Sequence, residues 1–370
     1  MIYREISEKI KKDWLQQKAI VLLGPRQVGK TTLMQELISN KNVLNVNGDD
    51  PHTRLLWSGI SMAMLQQMTS GFDVVFIDEA QRIENIGLTV KMMIDAKLKC
   101  QVFVTGSSSL DLAGKINEPL TGRKWEYQLF PLSWREVKDH YTFAKAYASL
   151  HDYLIFGMYP EVVQSAKKQR VLSHLAGSYL YKDILELTRI KKPDVLSKLL
   201  RAVALQLGNE VSYNELAKIL NIDRLTVINY LDLLEKAFVI FRLMPYSTNQ
   251  RNEITSKPKI YFYDNGIRNA IIGQFSDISN RTDQGALFEN FIVSEKIKRL
   301  GYDEFYGQTY YWRNTQQAEI DFLEIADNKI NAYEIKFNPD KKARFSKSFT
   351  EKYKPENTIT VNSSNFWEYL

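Results

Sequence analysis

An eight-residue pattern near the amino terminus, Gly24-Pro-Arg-Gln-Val-Gly-Lys-Thr31, limits the possible folds of this chain more than any other feature. It fits G-x-x-x-x-G-K-[ST] without a mismatch, follows the apolar run Ala19–Leu23 and leads into a helical stretch, 31–39. A chance glycine-rich turn rarely has a strand before it and a helix after it, so the pattern predicts a loop that binds nucleotide phosphates. Its glycines let backbone N–H groups face the phosphates, Lys30 neutralises phosphate charge and acts in catalysis, and Thr31 ligates Mg²⁺. The predicted nucleotide-binding residues, including one that follows a later strand, are Gly24, Pro25, Arg26, Gln27, Val28, Gly29, Lys30, Thr31, Thr32 and Ser107.

Two adjacent carboxylates, Asp78 and Glu79, follow the apolar run 74–77. They stand at the carboxyl end of a predicted strand, where open α/β sheets bind their ligands. We predict that Asp78 is a partner of Mg²⁺ and that Glu79 is the base that orients and deprotonates the attacking water. Alone, the pair would be interpreted as an acidic turn after a core strand, but the phosphate loop favours the catalytic interpretation.

A third run of interest, Val102-Phe-Val-Thr-Gly-Ser-Ser-Ser109, ends in hydroxyl groups. Thr105, Ser107 and Ser108 stand where a γ-phosphate sensor is expected, and hydrogen bonds from them to the phosphate or to the water would serve that purpose. An ordinary Gly-Ser turn explains the same residues equally well.

The first 130 residues alternate strand-like runs with helix-like stretches, which predicts the α/β fold class with a parallel sheet covered by helices. The chain is long enough for several domains. The predicted strands of the parallel sheet are 19–23, 43–46, 74–77, 101–105 and 127–130.

The three motifs, in this order, resemble a family of AAA+ or closely related archaeal-type P-loop ATPases. The resemblance implies ATP and Mg²⁺ as cofactors and an arginine that stabilises γ-phosphate charge, often from a neighbouring subunit. Arg123, in Leu120-Thr-Gly-Arg123, is the first candidate and Arg26 the second. For each of them, pairing with a surface carboxylate is an equally good explanation. A homo-oligomer, such as a hexameric ring, would follow from an arginine acting in trans.

The resemblance also suggests four domains. Residues 133–193 form the helical lid, and Gly157-Met-Tyr-Pro160 breaks its helices and resembles the lid element of the family. The predicted domains are an ATPase core (1–132), the lid (133–193), a winged-helix domain (194–280) and a PD-(D/E)xK nuclease-like α+β domain of the restriction-endonuclease type (281–370).

Residues 211–231 read as a helix, a turn and a second helix, with Asp223 as the cap of the second. The strands 238–243 and 259–263 complete a winged-helix pattern, and residues 160–280 hold 17 Lys and Arg against 12 Asp and Glu. This excess favours contacts to DNA phosphates, whereas a winged helix that packs on protein is the alternative. The residues predicted to bind DNA, duplex or branched, are Arg224, Thr226 and Asn229 on the second helix and Arg251, Lys257 and Lys259 on the wing.

Near the carboxyl terminus, Asp321 and Glu334-Ile-Lys336 lie on two apolar strands of a predicted hairpin around Asp327-Asn328. The carboxylates are expected to share a second Mg²⁺ or Mn²⁺, with Lys336 polarising a phosphate or water and Glu289 upstream as a further ligand. The spacing resembles the PD-(D/E)xK nuclease-like domain that follows the winged helix in the same ATPase family. An inert scaffold, with Glu334 and Lys336 as an exposed ion pair, is the alternative.

Composition limits the kinds of cross-link, metal site and cellular location that the chain can have. A single cysteine, Cys100, excludes an internal disulfide and a cysteine-built zinc site. The apolar runs are far shorter than the ~20 residues that span a bilayer, so we expect a cytoplasmic protein with no membrane partner. The sequence as a whole predicts an ATPase that acts on DNA as an oligomeric motor or remodelling enzyme, with a nucleotide-dependent signalling switch that binds a protein partner as the alternative.

Overall fold

The computed structural model describes residues 2–14, 16–107, 120–179, 193–247 and 257–370. Contacts within the chain separate two units, the first made mainly of residues up to Leu132 and the second mainly of residues from Ser133 onward. In the described part of the chain, no helix is both long and apolar enough to cross a membrane.

The first unit contains the predicted parallel sheet. Its five strands lie in the order β2-β3-β4-β1-β5, and every neighbouring pair is parallel. All five residues of β1, an interior strand, are buried, as a strand covered on both faces requires. The strands are β1 (Ala19–Leu23), β2 (Val43–Asn47), β3 (Val74–Asp78), β4 (Gln101–Gly106) and β5 (Lys124–Gln128).

Helices connect β1 to β2, β2 to β3 and β3 to β4, and because these strands are parallel the carboxyl ends of β1, β3 and β4 meet at one edge of the sheet. That edge carries the phosphate loop, the Asp78-Glu79 pair and Ser107. The helices are α1 (Ile6–Lys12), α2 (Lys30–Leu37), α3 (Pro51–Trp57), α4 (Met62–Thr69) and α5 (Ile86–Asp95), with a short 3₁₀ turn at Ala80–Arg82.

Strand β5 differs from its prediction, because it occupies Lys124–Gln128 rather than 127–130. Its sequence, KWEYQ, is largely polar, and the strand lies at the edge of the sheet with two of its five residues exposed. An edge strand needs little apolar surface, so the apolar run that follows it misled the prediction.

The second unit begins with short helices. Ser133 and Glu136 form a reciprocal capping box at the first of them. One helix ends at Phe156 and the next begins at Pro160, so the helical structure is interrupted between these residues. Gly157, in this break, has φ 71°, and a Cβ there would lie 2.0 Å from the Asp264 carboxylate. The helices are α6 (Trp134–Tyr141), α7 (Phe143–Ala148), α8 (Leu150–Phe156), α9 (Pro160–Gln164) and α10 (Lys168–His174), followed by a π-helical turn, Leu175–Tyr179.

The next elements in the described part of the chain are α11 (Pro193–Leu205), α12 (Tyr213–Leu220) and α13 (Arg224–Lys236). The Asp223 carboxylate accepts the backbone N–H of Thr226 at 2.8 Å, which is the capping contact expected from the sequence. On α12, Leu216 is buried whereas Ile219 is 61% exposed.

A six-stranded mixed sheet, in the order β11-β10-β9-β8-β6-β7, forms the core of the remaining chain. The predicted wing strands, β6 and β7, pair antiparallel, but β6 also pairs with β8 through Met244 and Tyr310. The wing strands thus extend the carboxyl-terminal sheet rather than standing apart from it. The strands are β6 (Ile240–Pro245), β7 (Lys259–Phe262), β8 (Gln308–Arg313), β9 (Glu319–Ala326), β10 (Lys329–Lys336) and β11 (Asn357–Asn362).

The hairpin of β9 and β10 has the expected turn, since Asp327 and Asn328 both have positive φ, 50° and 61°. The remaining helices are α14 (Asn265–Ile272), α15 (Gln284–Tyr302) and α16 (Lys347–Tyr353), with 3₁₀ turns at Ile278–Asn280 and Phe366–Glu368.

Candidate functional site

The phosphate loop joins the end of β1 to the start of α2. Gly29, at the cap position of α2, has φ 94°, a conformation that side chains with a Cβ rarely adopt. Gly24 packs closely against the backbone of Leu129, so that a Cβ at position 24 would lie only 2.2 Å from the Leu129 carbonyl oxygen. The loop therefore needs glycine at both ends, and the helix N-terminus adds backbone N–H groups that favour an anion.

Lys30 holds its ammonium against the loop itself. Its Nζ donates to the carbonyl oxygens of Gly24 at 2.8 Å and Pro25 at 2.9 Å, and its side chain is buried. The positive charge is thus confined to the loop, where a phosphate group would bind. Of the other loop residues, Val28 is buried, Arg26 is half-buried, and Gln27 and Thr32 are exposed.

Thr31 and Asp78 meet at the end of the sheet. The Thr31 hydroxyl donates to Asp78 Oδ2 at 3.0 Å, while Asp78 Oδ1 accepts the Thr105 hydroxyl and, at 3.1 Å, the backbone N–H of Glu79. A hydroxyl and a carboxylate are the oxygen donors that Mg²⁺ prefers, so this pair fits the metal that accompanies ATP. The predicted Mg²⁺ partners are therefore brought together.

Glu79 follows directly, in a left-handed conformation with φ 48° and ψ 44°. The Gln81 amide donates both to the Glu79 carboxylate and to the Ser107 hydroxyl, the latter at 3.1 Å. Gln81 is only 5% exposed, so these contacts fix the direction of the carboxylate. Ser107 thus lies near Glu79, the predicted base, where the sequence placed a γ-phosphate sensor; Ser108 lies outside the described residues.

Two residues of this site were not predicted. The guanidinium of Arg4, which is buried, donates to the carbonyl oxygens of Val28 and Phe130, each at 2.6 Å, and so ties the segment before α1 to the phosphate loop. No spacing in the sequence signals this contact. For Gln81 the sequence did offer a signal. It lies two residues after Glu79, close enough along the chain for its side-chain amide to contact the Glu79 carboxylate.

Arg123 lies at the opposite edge of the sheet. It directly precedes β5, and its carbonyl oxygen accepts the backbone N–H of Ala19, the first residue of β1. Five strand residues, roughly 16 Å, separate this end of β1 from the phosphate loop. Its side chain pairs with Asp95 at 2.5 Å and holds the pKa of that exposed carboxyl below its usual value. Arg123 therefore does not serve the phosphate loop of its own chain, and a role in trans stays a prediction.

The predicted DNA-binding residues divide into two groups. Arg224 and Asn229 are exposed on α13, with the Arg224 guanidinium 5.9 Å from the centre of the Tyr213 ring, and Lys257 is also exposed. Thr226 is partly buried, and its hydroxyl donates to the capping carboxylate of Asp223. Arg251 lies outside the described residues.

Lys259 contradicts its prediction as a DNA contact, because it is 1% exposed. Its ammonium pairs with Glu289 at 3.1 Å and also with Glu319. Burial would lower the pKa of Lys259, but nearby acidic groups, above all Glu289, raise it well above its ordinary value. The lysine is thus charged, buried and directed into the protein, since β7 is part of the sheet rather than of a projecting wing.

The predicted carboxyl-terminal metal residues lie close together but are engaged by protein groups. Asp321 Oδ2 accepts the backbone N–H of Ile335 at 2.7 Å and Lys336 Nζ at 3.2 Å, and Lys336 also pairs with Glu334 at 2.8 Å. Burial, followed by the charge of Asp321, raises the pKa of Glu334 to about 7. Although burial works against it, the charges of Asp321 and Glu334 raise the pKa of Lys336 above its ordinary value.

Glu289, predicted as a further metal ligand, accepts both the Lys259 ammonium and, at 2.7 Å, the Tyr261 hydroxyl. Within the described ranges, no group of three or more acidic, histidine or cysteine side chains is arranged to hold a metal ion. The predicted three-carboxylate metal site of Glu289, Asp321 and Glu334 therefore does not fit the structure, because lysines hold positions that the sequence assigned to a metal.

Comparisons with known proteins agree with the first unit's geometry. A family model described as an AAA domain matches residues 16–138, and two models described as domains of unknown function, DUF8612 and DUF4143, match residues 147–278 and 284–367. An uncharacterized protein of Mycobacterium tuberculosis is 25% identical over 340 residues, which is 90% of this chain and 73% of that protein. An uncharacterized protein of Methanocaldococcus jannaschii is 27% identical over 359 residues, 89% of this chain and 76% of that protein.

Among solved structures, a Walker-type ATPase of Pyrococcus abyssi matches with a TM-score of 0.52 and 16% identity, over 73% of this chain and 96% of that chain. At this identity the likeness shows the fold alone. The AAA-domain match over residues 16–138 agrees with the fold of the first unit, which is that of a P-loop ATPase domain.

Proposed function

We propose that this protein hydrolyses ATP with the help of Mg²⁺. The observation that carries the proposal is the contact of Thr31 with Asp78 at 3.0 Å, at the end of the phosphate loop that holds Lys30. A hydroxyl and a carboxylate from separate elements meet there, next to a confined ammonium and beside a second carboxylate, Glu79. Phosphoryl transfer to water needs these groups and little else from the protein.

The chain's own residues divide the work. Backbone N–H groups of the loop and the Lys30 ammonium bind the β- and γ-phosphates, and Thr31 with Asp78 would hold the metal. Mg²⁺, when bound, neutralises charge that develops on the phosphate oxygens. Glu79 accepts the proton of the attacking water, while Gln81 keeps the carboxylate directed and connects it to Ser107. Arg4 holds the loop in place through the Val28 carbonyl.

The Asp78→Asn variant tests the metal side of this proposal. Loss of one negative charge from the Thr31–Asp78 pair should raise the Mg²⁺ concentration needed for half-maximal turnover by about tenfold or more. The measurement is a Mg²⁺ titration of phosphate release from ATP by the full chain. Asp73→Asn, an exposed aspartate before the opposite end of β3, is the matched control and should leave the titration unchanged. An unchanged Mg²⁺ requirement in Asp78→Asn would argue against the assigned metal site.

DNA is the proposed partner. Arg224 and Asn229 support this, since both are exposed on α13, the second helix of the helix-turn-helix pair. A helix that presents exposed cationic and amide groups has the chemistry to contact phosphates and bases. In this account ATP hydrolysis drives a homo-oligomeric motor or remodelling enzyme on duplex or branched DNA, with a hexameric ring placing Arg123 at a neighbour's phosphate loop.

The Arg224→Ala variant tests the DNA proposal. It should weaken DNA binding to a similar degree for all sequences and reduce the slope of log affinity against log salt by about one, because one phosphate contact is lost. Affinity is measured for duplex and branched DNA over a range of salt, with particle mass recorded in the presence and absence of ATP. Arg201→Ala, an exposed arginine on α11, serves as the control. If the unmodified protein binds no DNA even at low salt, the alternative of a signalling switch with a protein partner is favoured.

A further inference from the structure

Four carboxylates converge on the carboxyl-terminal sheet from three elements. Glu319 and Asp321 are on β9, Glu334 is on β10, and Glu289 is on α15. Their side chains are largely withdrawn from solvent, with Asp321 and Glu334 the most buried. We call these four residues the acidic cluster. Carboxylates grouped away from water require cations close by, or they lose their charge.

Lys259 supplies one of those cations. It lies at the start of β7, where its backbone is held by pairing with Leu243 of β6 and by a bridge to Glu210. Its ammonium contacts Glu289 and Glu319 and lies 5.5 Å from the centre of the Tyr311 ring. It thus links β7, α15 and β9 from inside the protein.

Two more cationic side chains offset the negative charge of the acidic cluster. Lys336 contacts Asp321 and Glu334, and Arg313 lies 3.5 Å from Glu319. Each carboxylate of the acidic cluster therefore has a cationic side chain within 4 Å.

We propose that Lys259 is the resident cation of the acidic cluster, so that this cluster holds its carboxylates without a divalent metal. A metal bound by Glu289 with Asp321 or Glu334 would have to displace the Lys259 ammonium from Glu289. The displaced ammonium, almost without exposure, would remain buried beside a metal ion of the same charge sign, which is strongly unfavourable. Asp321 Oδ2 already accepts hydrogen bonds from the Ile335 backbone N–H and from the Lys336 ammonium.

This assignment changes what the domain does. The cluster joins the strand pair that follows the helix-turn-helix to the carboxyl-terminal domain, and it does not perform metal-dependent phosphodiester cleavage. The predicted nuclease carboxylates serve as the anionic side of an internal ion-pair network. The inference stands apart from ATP hydrolysis, because its residues lie in the second unit.

The test uses Mn²⁺ alone and the full chain carrying Asp78→Asn, which removes the metal-binding carboxylate at the phosphate loop. In this parent protein Mn²⁺ should leave the melting temperature unchanged. A Mn²⁺-induced rise in the parent that Asp321→Asn or Glu334→Gln removes would overturn the proposal.

A double-mutant cycle measures the ion pair directly. Lys259→Met should lower the melting temperature of the parent by several degrees, because it leaves Glu289 and Glu319 without this cation. The decrease in melting temperature caused by Lys259→Met should be clearly smaller when Glu289→Gln is already present. The control is Lys257→Met, at an exposed lysine two residues earlier, which should neither lower the melting temperature nor depend on Glu289→Gln. Strictly additive effects of Lys259→Met and Glu289→Gln would overturn the proposal. If Lys259→Met does not fold, Lys259→Arg keeps the cation and should fold, and the parent's response to Mn²⁺ still decides the outcome.

Discussion

Replacing Glu79 by glutamine should lower kcat for ATP hydrolysis by about 10²–10⁴-fold and leave the Kd for ATP nearly unchanged. The amide has the size of the carboxylate and remains within reach of the Gln81 side chain, but it cannot accept a proton from water. Lys30, Thr31 and the loop N–H groups, which bind the phosphates, are untouched. Turnover is measured as steady-state phosphate release and binding with a fluorescent ATP analogue.

The matched control for this variant is Glu84→Gln. Glu84 is an exposed glutamate five residues further along, so the same chemical change there should alter neither turnover nor ATP binding. A Glu79→Gln protein that turns over at the wild-type rate would remove Glu79 from the mechanism. Equal loss of ATP binding and turnover would assign Glu79 to binding rather than to proton transfer.

Replacing Lys30 by alanine should raise the Kd for ATP by about 10- to 100-fold and abolish measurable turnover at ATP concentrations that saturate the wild type. Charged hydrogen bonds contribute about 1.5–3 kcal/mol each, which corresponds to this range of affinity. The variant also leaves the carbonyl oxygens of Gly24 and Pro25 without the Lys30 ammonium, so the loop loses an internal contact.

Binding of the Lys30→Ala variant is followed by calorimetry with ATP and Mg²⁺. Lys41→Ala provides the control, since Lys41 is an exposed lysine between α2 and β2. Melting temperatures of both variants without nucleotide show whether a weaker affinity reflects unfolding of the loop's surroundings. An ATP affinity equal to that of the wild type would place the phosphates elsewhere.

The sequence was most informative where one local pattern determines both structure and chemistry. The phosphate loop needs glycine at positions 24 and 29 for backbone reasons and lysine and threonine at 30 and 31 for chemical reasons, so a single stretch predicts the site. The parallel sheet followed from the same regularity, because fully buried strands are short apolar runs. Strand β5 was misplaced since an edge strand with polar residues lacks that signal.

Contacts between residues far apart in the sequence were not predictable in the same way. Arg4 reaches Val28 and Phe130 across 24 and 126 positions, and its own neighbourhood resembles an ordinary amphipathic start of a helix. Nothing local distinguishes an arginine that will be buried against carbonyl oxygens from one that will face solvent.

Lys259 was also mispredicted because its contacts are with residues distant in the sequence. Basic residues before a strand suggested an exposed wing, but β6 pairs with β8, so β7 belongs to a larger sheet and its first side chain enters the acidic cluster. Asp321 and Glu334, two carboxylates of that cluster, were located correctly on adjacent strands. Their partner was not, because the cation comes from a segment more than 60 residues earlier than Asp321.

Phosphate release from ATP by the full chain is the most direct test of the proposed Mg²⁺-dependent ATP hydrolysis. One experiment compares three samples: the wild type with Mg²⁺, the wild type with a chelator, and Glu79→Gln with Mg²⁺. Steady release in proportion to protein concentration is expected in the first sample, and almost none in the other two. Equal release by the wild type and by Glu79→Gln, or none by the wild type that binds ATP, would contradict the proposed hydrolysis.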